Sequence, residues 1–181
     1  VRFIDVGEEG ILAMVCDSTN VFVEGLSGSE GDVRENLERL VRRYEGRVAI
    51  ACFASNVARL QTIAHVGEAT NRNVALVGRS LWRIYESAKE NGYLTGIAPF
   101  ITEKDVGYLP PERVLMICTG SQGEPRAALT RIANRDHRDI TLEMGDAVIF
   151  SSRIIPGNEK AIGRLHNRLI EKGIEVVTSS D

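Results

Sequence analysis

The sequence predicts an α/β fold of three layers, a mainly parallel sheet with helices on both faces. Three observations carry this. Short apolar runs without polar alternation recur along the chain, the pattern of strands covered on both sides. Segments with apolar residues at helical spacing lie between them. Each run, save the one at the chain's end, gives way to a small polar or glycine-rich cluster, as strand-to-helix turns do. Alternation of this kind brings right-handed crossovers and parallel pairing.

The first run, 11–16, carries Ile11, Leu12, Met14 and Val15 and ends in Asp17-Ser18-Thr19-Asn20. A helix is expected from Ser29, where Ser29 and Asp32 form a capping-box pattern and Val33, Leu37, Leu40 and Val41 keep helical spacing. The second run, 48–53, ends in Ala54-Ser55-Asn56, and a helix follows from about Asn56 through Ile63. The third, 74–77, ends in Gly78-Arg79-Ser80 and leads to a helix over 81–89 that stops at Asn91-Gly92. Residues 95–111, with Pro110-Pro111, break the rhythm and read as a loop or small excursion. The fourth run, 114–118, ends in Thr119-Gly120-Ser121-Gln122-Gly123-Glu124-Pro125, with Pro125 at the first position of the next helix. The fifth, 147–150, ends in Ser151-Ser152 and then Pro156-Gly157-Asn158-Glu159. A helix from near Asn158 to Gly173 buries Ile162, Leu165, Leu169 and Ile170, and a last run covers 174–177.

Composition sets limits on function. The formal charge is −3, whereas a protein gripping a long duplex through phosphates alone is basic. Any nucleic acid is therefore met in a local groove. No run approaches the ~20 apolar residues of a membrane-spanning helix. Cys16, Cys52 and Cys118 form no C-x-x-C pair and sit at or near the ends of apolar runs, where a reduced thiol packs as a small hydrophobe. Cytoplasmic residence is the default for such a chain. The chain opens on Val1 with no signal-peptide pattern, and an excerpt of a longer protein is expected.

Ligands of open parallel sheets bind beyond the carboxyl ends of the strands. The polar clusters fall at those ends, several of them at helix starts, where free N–H groups attract phosphate. Ser, Thr, Asn, Gln and Gly suit cradling phosphate and sugar better than nucleophilic attack. Arg59, Arg79, Arg126, Arg131 and Arg153 lie in or just after these loops and could add bidentate phosphate contacts. Each cluster also has a structural reading, because the same residues cap helices and make turns. His65, His137 and His166 are the only histidines, and no H-x-H, H-E-x-x-H or Cys/His cluster exists. They are read as surface or structural, with no metal site in this chain. No G-x-S-x-G elbow and no P-loop is present.

Taken in order, the clusters at Asp17-Ser18-Thr19-Asn20, Phe53-Ala54-Ser55-Asn56 with Arg59 and Gln61, Gly78-Arg79-Ser80, Thr119 through Pro125 with Leu129 and Arg131, and Ile155 through Glu159 resemble the β-CASP segment of the ribonuclease J family. The likeness covers nearly the whole chain. It implies a β-CASP domain over 11–181, with 1–10 a remnant of, or linker to, a metallo-β-lactamase domain. It implies a two-metal ribonuclease of RNA processing and decay, endonucleolytic and 5′–3′ exonucleolytic, with two zinc ions held in that other domain and none by this chain. Asp17 matches an acid that orients a histidine of the other domain. The implied RNA and phosphate contacts are Ser18, Ser55, Asn56, Arg59, Arg79, Ser80, Thr119, Gly120, Ser121, Gln122, Gly123, Glu124, Ser151 and Asn158. The implied partners are RNA, the metallo-β-lactamase domain and further copies in a homo-oligomer, with no membrane; the isolated piece would be inactive. One departure is Arg153-Ile154-Ile155-Pro156, where many relatives carry a Ser-Pro-Ile-Pro-like stretch. Two other classes fit the residues: a non-catalytic nucleotide- or RNA-binding module, and a doubly wound small-molecule enzyme.

Overall fold

The computed structural model describes residues 2–16, 22, 24, 25 and 28–178. After a short helix α1 (Arg2–Glu9), the main body begins at α2 (Glu30–Val41). The capping box forms as expected: the Ser29 hydroxyl accepts the Asp32 N–H at 3.1 Å, and the Asp32 carboxylate accepts the Ser29 N–H at 2.8 Å. Then follow β1 (Val48–Ala51), α3 (Val57–Ala69), β2 (Asn73–Val77), α4 (Arg79–Glu90), 3-10 turns at Asp105–Tyr108 and Pro111–Arg113, β3 (Val114–Cys118), α5 (Ala128–Ala133), β4 (Ala147–Phe150), α6 (Glu159–Ile170) and β5 (Glu175–Val177).

The five strands form one sheet in the order β2-β3-β1-β4-β5, every pair parallel. Strand residues alternate between two cores. Val48, Ile50, Leu76, Leu115, Ile117 and Ile149 pack with α2, α3 and α4. Ala49, Ala51, Val77, Met116, Cys118 and Phe150 pack with α5 and α6. Both faces are thus covered, which explains why the strands read as unbroken apolar runs.

The excursion at 95–111 has a topological reason. From β2 the chain must return to β3 on its inner side, and a right-handed return crosses the face opposite α4. Ile101 first pairs in parallel with Ala75 beside β2. The chain then passes under the sheet, where Val106 and Leu109 join the second core.

Four expectations are corrected. The run 11–16 is not a strand: Leu12 and Val15 are fully exposed, and no described strand pairs with it. Cys16 is accordingly exposed instead of packed. Pro125 does not start a helix, because the Ala127 N–H bonds to the Glu124 carbonyl at 3.1 Å and closes a turn with Pro at its second position; α5 begins three residues later. Ile170 is exposed, since the buried face of α6 follows the three-to-four spacing of Ile162, Leu165 and Leu169 and position 170 turns away from it.

The thiols test this packing. Burial pushes the Cys52 thiol up to about 12 and raises Cys118 as well. A thiol reagent at about pH 8 should modify Cys16 promptly, since only thiolate reacts. Cys52 and Cys118 should react only after denaturation. Prompt modification of all three in the native protein would contradict the buried placement.

Candidate functional site at the carboxyl edge of the sheet

The register sets the site. Ala51 lies level with Cys118 and Phe150, and Val77 with Cys118, so four strands end at one height. The ladder runs one residue further: Cys52 N–H bonds to Cys118 O at 3.3 Å, Thr119 N–H to Val77 O at 3.3 Å, and Ser151 N–H to Ala51 O at 2.8 Å. Four loops therefore leave from a common edge, as the polar clusters suggested. Asp17 and Ser18 lie outside the described residues.

The β1 loop ends at Asn56, whose side chain caps α3 by accepting the Arg59 N–H at 3.0 Å. Ser55 beside it is exposed. Arg59 acts as a brace. Its Nε and Nη2 donate to the two Glu30 carboxylate oxygens at 2.6 and 3.1 Å, and its Nη1 donates to the Ser151 carbonyl and hydroxyl at 2.8 and 2.6 Å. One guanidinium fastens α2, α3 and the β4 loop, and its charge is already balanced by a carboxylate.

That pairing has a pH signature. The Arg59 hydrogen bond holds the Glu30 carboxyl below its usual 4.5. The folded pKa is depressed, so the stabilisation is complete above the unfolded value and is lost as pH falls through the folded one. The drop in urea midpoint between about pH 6 and pH 3.5 should be smaller in Arg59→Gln than in the parent. Equal drops would show that the pair contributes nothing; its partial exposure already keeps the contribution modest.

The β3 loop is built around Gln122, which is 4% exposed. Its Nε2 donates to Arg153 O at 2.9 Å, and its Oε1 accepts the Ile155 N–H at 2.9 Å and the Asn158 Nδ2 at 3.3 Å. A side chain of the β3 loop thereby shapes the β4 loop. Ser121 is buried too. Glu124 accepts the Gln122 N–H at 3.0 Å, and the Thr119 hydroxyl accepts the Ala128 N–H at 3.2 Å. Gly123 has φ +72, and a Cβ there would lie 2.7–2.9 Å from backbone atoms of Ala161 and Ile162, so only glycine lets the loop lie against α6. Gly120 adopts φ +110.

The β2 loop stands apart. Gly78, at φ +129, leaves no room for a Cβ beside Thr119 and donates its N–H to Glu103 Oε1 at 2.8 Å. Arg79 and Ser80 are exposed at the start of α4. Arg79 lines a cavity of about 520 Å³ together with Lys104 and Arg126.

The structure thus divides the expected residues into two neighbourhoods. Asn56, Arg59 and Ser151 form one hydrogen-bonded set and Gln122 and Asn158 a second, the two meeting in the β4 loop, with Ser55 at the exposed rim. Arg79 and Ser80 belong to the outer side. Sequence reasoning missed Glu30, which looks like one more acid in the first turn of a helix, and Glu103 and Lys104, which sit in the irregular excursion. Among the described residues no group of three His, Cys, Asp or Glu side chains converges as a metal site requires. What the edge offers is binding chemistry: fixed loops, exposed hydroxyls and cations.

Residues 45–169 match the family model described as "Ribonuclease J, beta-CASP domain". The chain is 49% identical over 180 residues, 99% of its length, to "Ribonuclease J" of Sinorhizobium meliloti, and spans 32% of that protein. It is 47% identical over 178 residues to "Ribonuclease J" of Corynebacterium glutamicum, 97% of this chain and 24% of that one. It is 39% identical over 176 residues to "Ribonuclease J" of Thermus thermophilus, 97% of this chain and 31% of that one. The chain spans about a third or less of the length of these relatives. Among the described residues no helix is long and apolar enough to cross a membrane.

Proposed function

We propose, from the premise that this chain belongs to the ribonuclease J β-CASP domain family, that it is the RNA-handling part of a metal-dependent ribonuclease. The observation that carries the reading is the alignment of four strand ends, with the β1 and β3 loops each tied by a side chain to the β4 loop, through Arg59 and Gln122. Single-stranded RNA lies across this edge, with its phosphates against Ser55, the β3 loop and the residues around Ser151 and Asn158. Buried Gln122 and charge-balanced Arg59 act by fixing the loops that meet the strand. Asp17 and Ser18 belong to the same edge on this reading, with Asp17 orienting a histidine of the metal-binding domain.

The two zinc ions expected of such an enzyme do not fit the described residues. No three potential ligands converge, and the buried thiols of Cys52 and Cys118 are held protonated. On this reading the metals are held elsewhere in the protein, and no chemical step is assigned to the residues described. Residues 1–10 would join the domain over 11–181 to that part, and the domain alone would not cleave RNA.

The test uses the full-length protein. Ser55→Asp combined with Ile154→Asp places carboxylates at two exposed loop positions. Affinity for a short single-stranded RNA, read by fluorescence anisotropy, should fall at least tenfold while the urea midpoint is unchanged, because repulsion acts on bound phosphates. Unchanged affinity would remove the edge from the RNA path.

A further inference from the structure

We propose that the cavity beyond the carboxyl ends of β2 and β3 is a second binding site, for the phosphate of a nucleotide or of an RNA strand. It extends the RNA-handling reading and, for its RNA source, rests on it. Four segments distant in sequence meet here: the start of α4, residues 102–104, residues 126–131 and the turn at 137–139. They bring together Arg79, Lys104, Arg126, Arg131 and Arg138. Five cations against two carboxylates, Glu103 and Asp139, leave a local excess of positive charge in a chain of net charge −3, which favours an anion.

The two carboxylates on the wall balance the set only in part. Glu103 accepts the Gly78 N–H and keeps its charge, and Asp139 pairs with Arg138 at 3.2 Å. Among the described residues no carboxylate lies within ion-pair distance of Arg79, Lys104 or Arg126. This contrasts with Arg59, whose charge is spoken for.

Two further groups suit a nucleotide. The His137 Nδ1 accepts the Ile140 N–H at 3.2 Å, which leaves a proton on Nε2 as a donor; burial lowers the pKa of the ring. Trp82 lies one turn after Arg79 on the same face of α4, and its Nε1 is tied to Leu76 O at 3.2 Å. The half-buried indole offers a fixed surface beside the cations, where a base can stack. The volume of about 520 Å³ lies within the roughly 300–1,000 Å³ of small-molecule sites.

The experiment uses the full-length protein and the triple variant Lys104→Gln/Arg126→Gln/Arg138→Gln, all at exposed positions. The probes are a 3′-labelled decamer of uridine, read by anisotropy across salt concentrations, and uridine monophosphate, read by calorimetry. If the source is RNA, the triple variant should bind the decamer at least tenfold more weakly, and the slope of log K against log salt should shrink by about 2, from ~0.7 per lost contact. If the source is a free nucleotide, uridine monophosphate should bind the parent saturably and not the variant, with decamer affinity unchanged. Either result supports the site. Equal binding of both probes by parent and variant, with equal salt slopes, overturns it. The Ser55→Asp/Ile154→Asp protein separates the two readings: if it keeps decamer affinity while the triple variant loses it, the edge reading fails and the cavity stands. Arg126→Glu alone should reproduce the direction of the triple variant, which guards against a folding artefact.

Discussion

Gln122→Ala is expected to lower stability by about 2 kcal/mol and to weaken RNA binding more than tenfold. The side chain is buried and ties the β3 loop to three groups of the β4 loop, at Arg153, Ile155 and Asn158. A typical internal hydrogen bond contributes about 1 kcal/mol net, and a buried partner left without one costs about 1–3 kcal/mol. The freed Arg153 carbonyl and Ile155 N–H lie in residues that are themselves exposed, so water recovers part of the loss, and the three bonds together come to about 2 kcal/mol. On the proposed reading a functional effect accompanies the energetic one. The β4 loop carries Ile154 and Ile155 about half exposed, and without Gln122 it has lost the side chain that fixes its course. Gln122→Glu should be no rescue, because it keeps an acceptor but removes the donor to Arg153 and buries a charge. Urea denaturation and RNA anisotropy read the two effects. A stability loss with unaltered RNA affinity would make Gln122 a structural tie and nothing more.

Much of the fold is legible in the sequence because burial on both faces writes itself as unbroken apolar runs. The runs at 74–77, 114–118 and 147–150 lie in strands, as do the first four residues of the run at 48–53. The run at 11–16 has the same composition and is no strand, because composition reports the wish to be covered and not the presence of a neighbour. Helix starts at Ser29, Asn56 and Asn158 are local events and were readable as such. The site was readable only as an edge. Whether a polar side chain there faces solvent or another loop depends on contacts between distant segments. Gln122 meets residues 31–36 positions away, and Arg59 meets Glu30 and Ser151 at 29 and 92. The cationic cavity is still less local, since two of its walls come from the excursion and from the 137–139 turn, where no periodic pattern points.

Arg72→Met is expected to cost about 3 kcal/mol while leaving RNA affinity per folded molecule unchanged. Arg72 opens the way into β2 at the amino end of the sheet and is 8% exposed. Its Nη1 donates to Gly46 O at 2.7 Å and Val114 O at 3.0 Å, and its Nη2 donates to the Tyr44 carbonyl. One guanidinium thus satisfies the chain entering β1 and the first residue of β3. Burial lowers its pKa, and Glu112 and Asp146 oppose that only as charges at a distance. Methionine fills much of the volume and supplies no donor, so three carbonyls lose their partner at about 1 kcal/mol or more each. Lysine, a point donor on a flexible stem, cannot span the three and should recover only part. The loss should appear in the urea midpoint and as faster hydrogen exchange at the amino ends of β1 and β3. The proposed binding edge lies a strand's length away, about 16 Å at ~3.3 Å per residue, and its loops share no hydrogen bond with Arg72. Stability and RNA affinity should therefore part company in Arg72→Met and fall together in Gln122→Ala, and a fall in affinity per folded Arg72→Met molecule would mean that the two ends of the sheet are coupled through the strands.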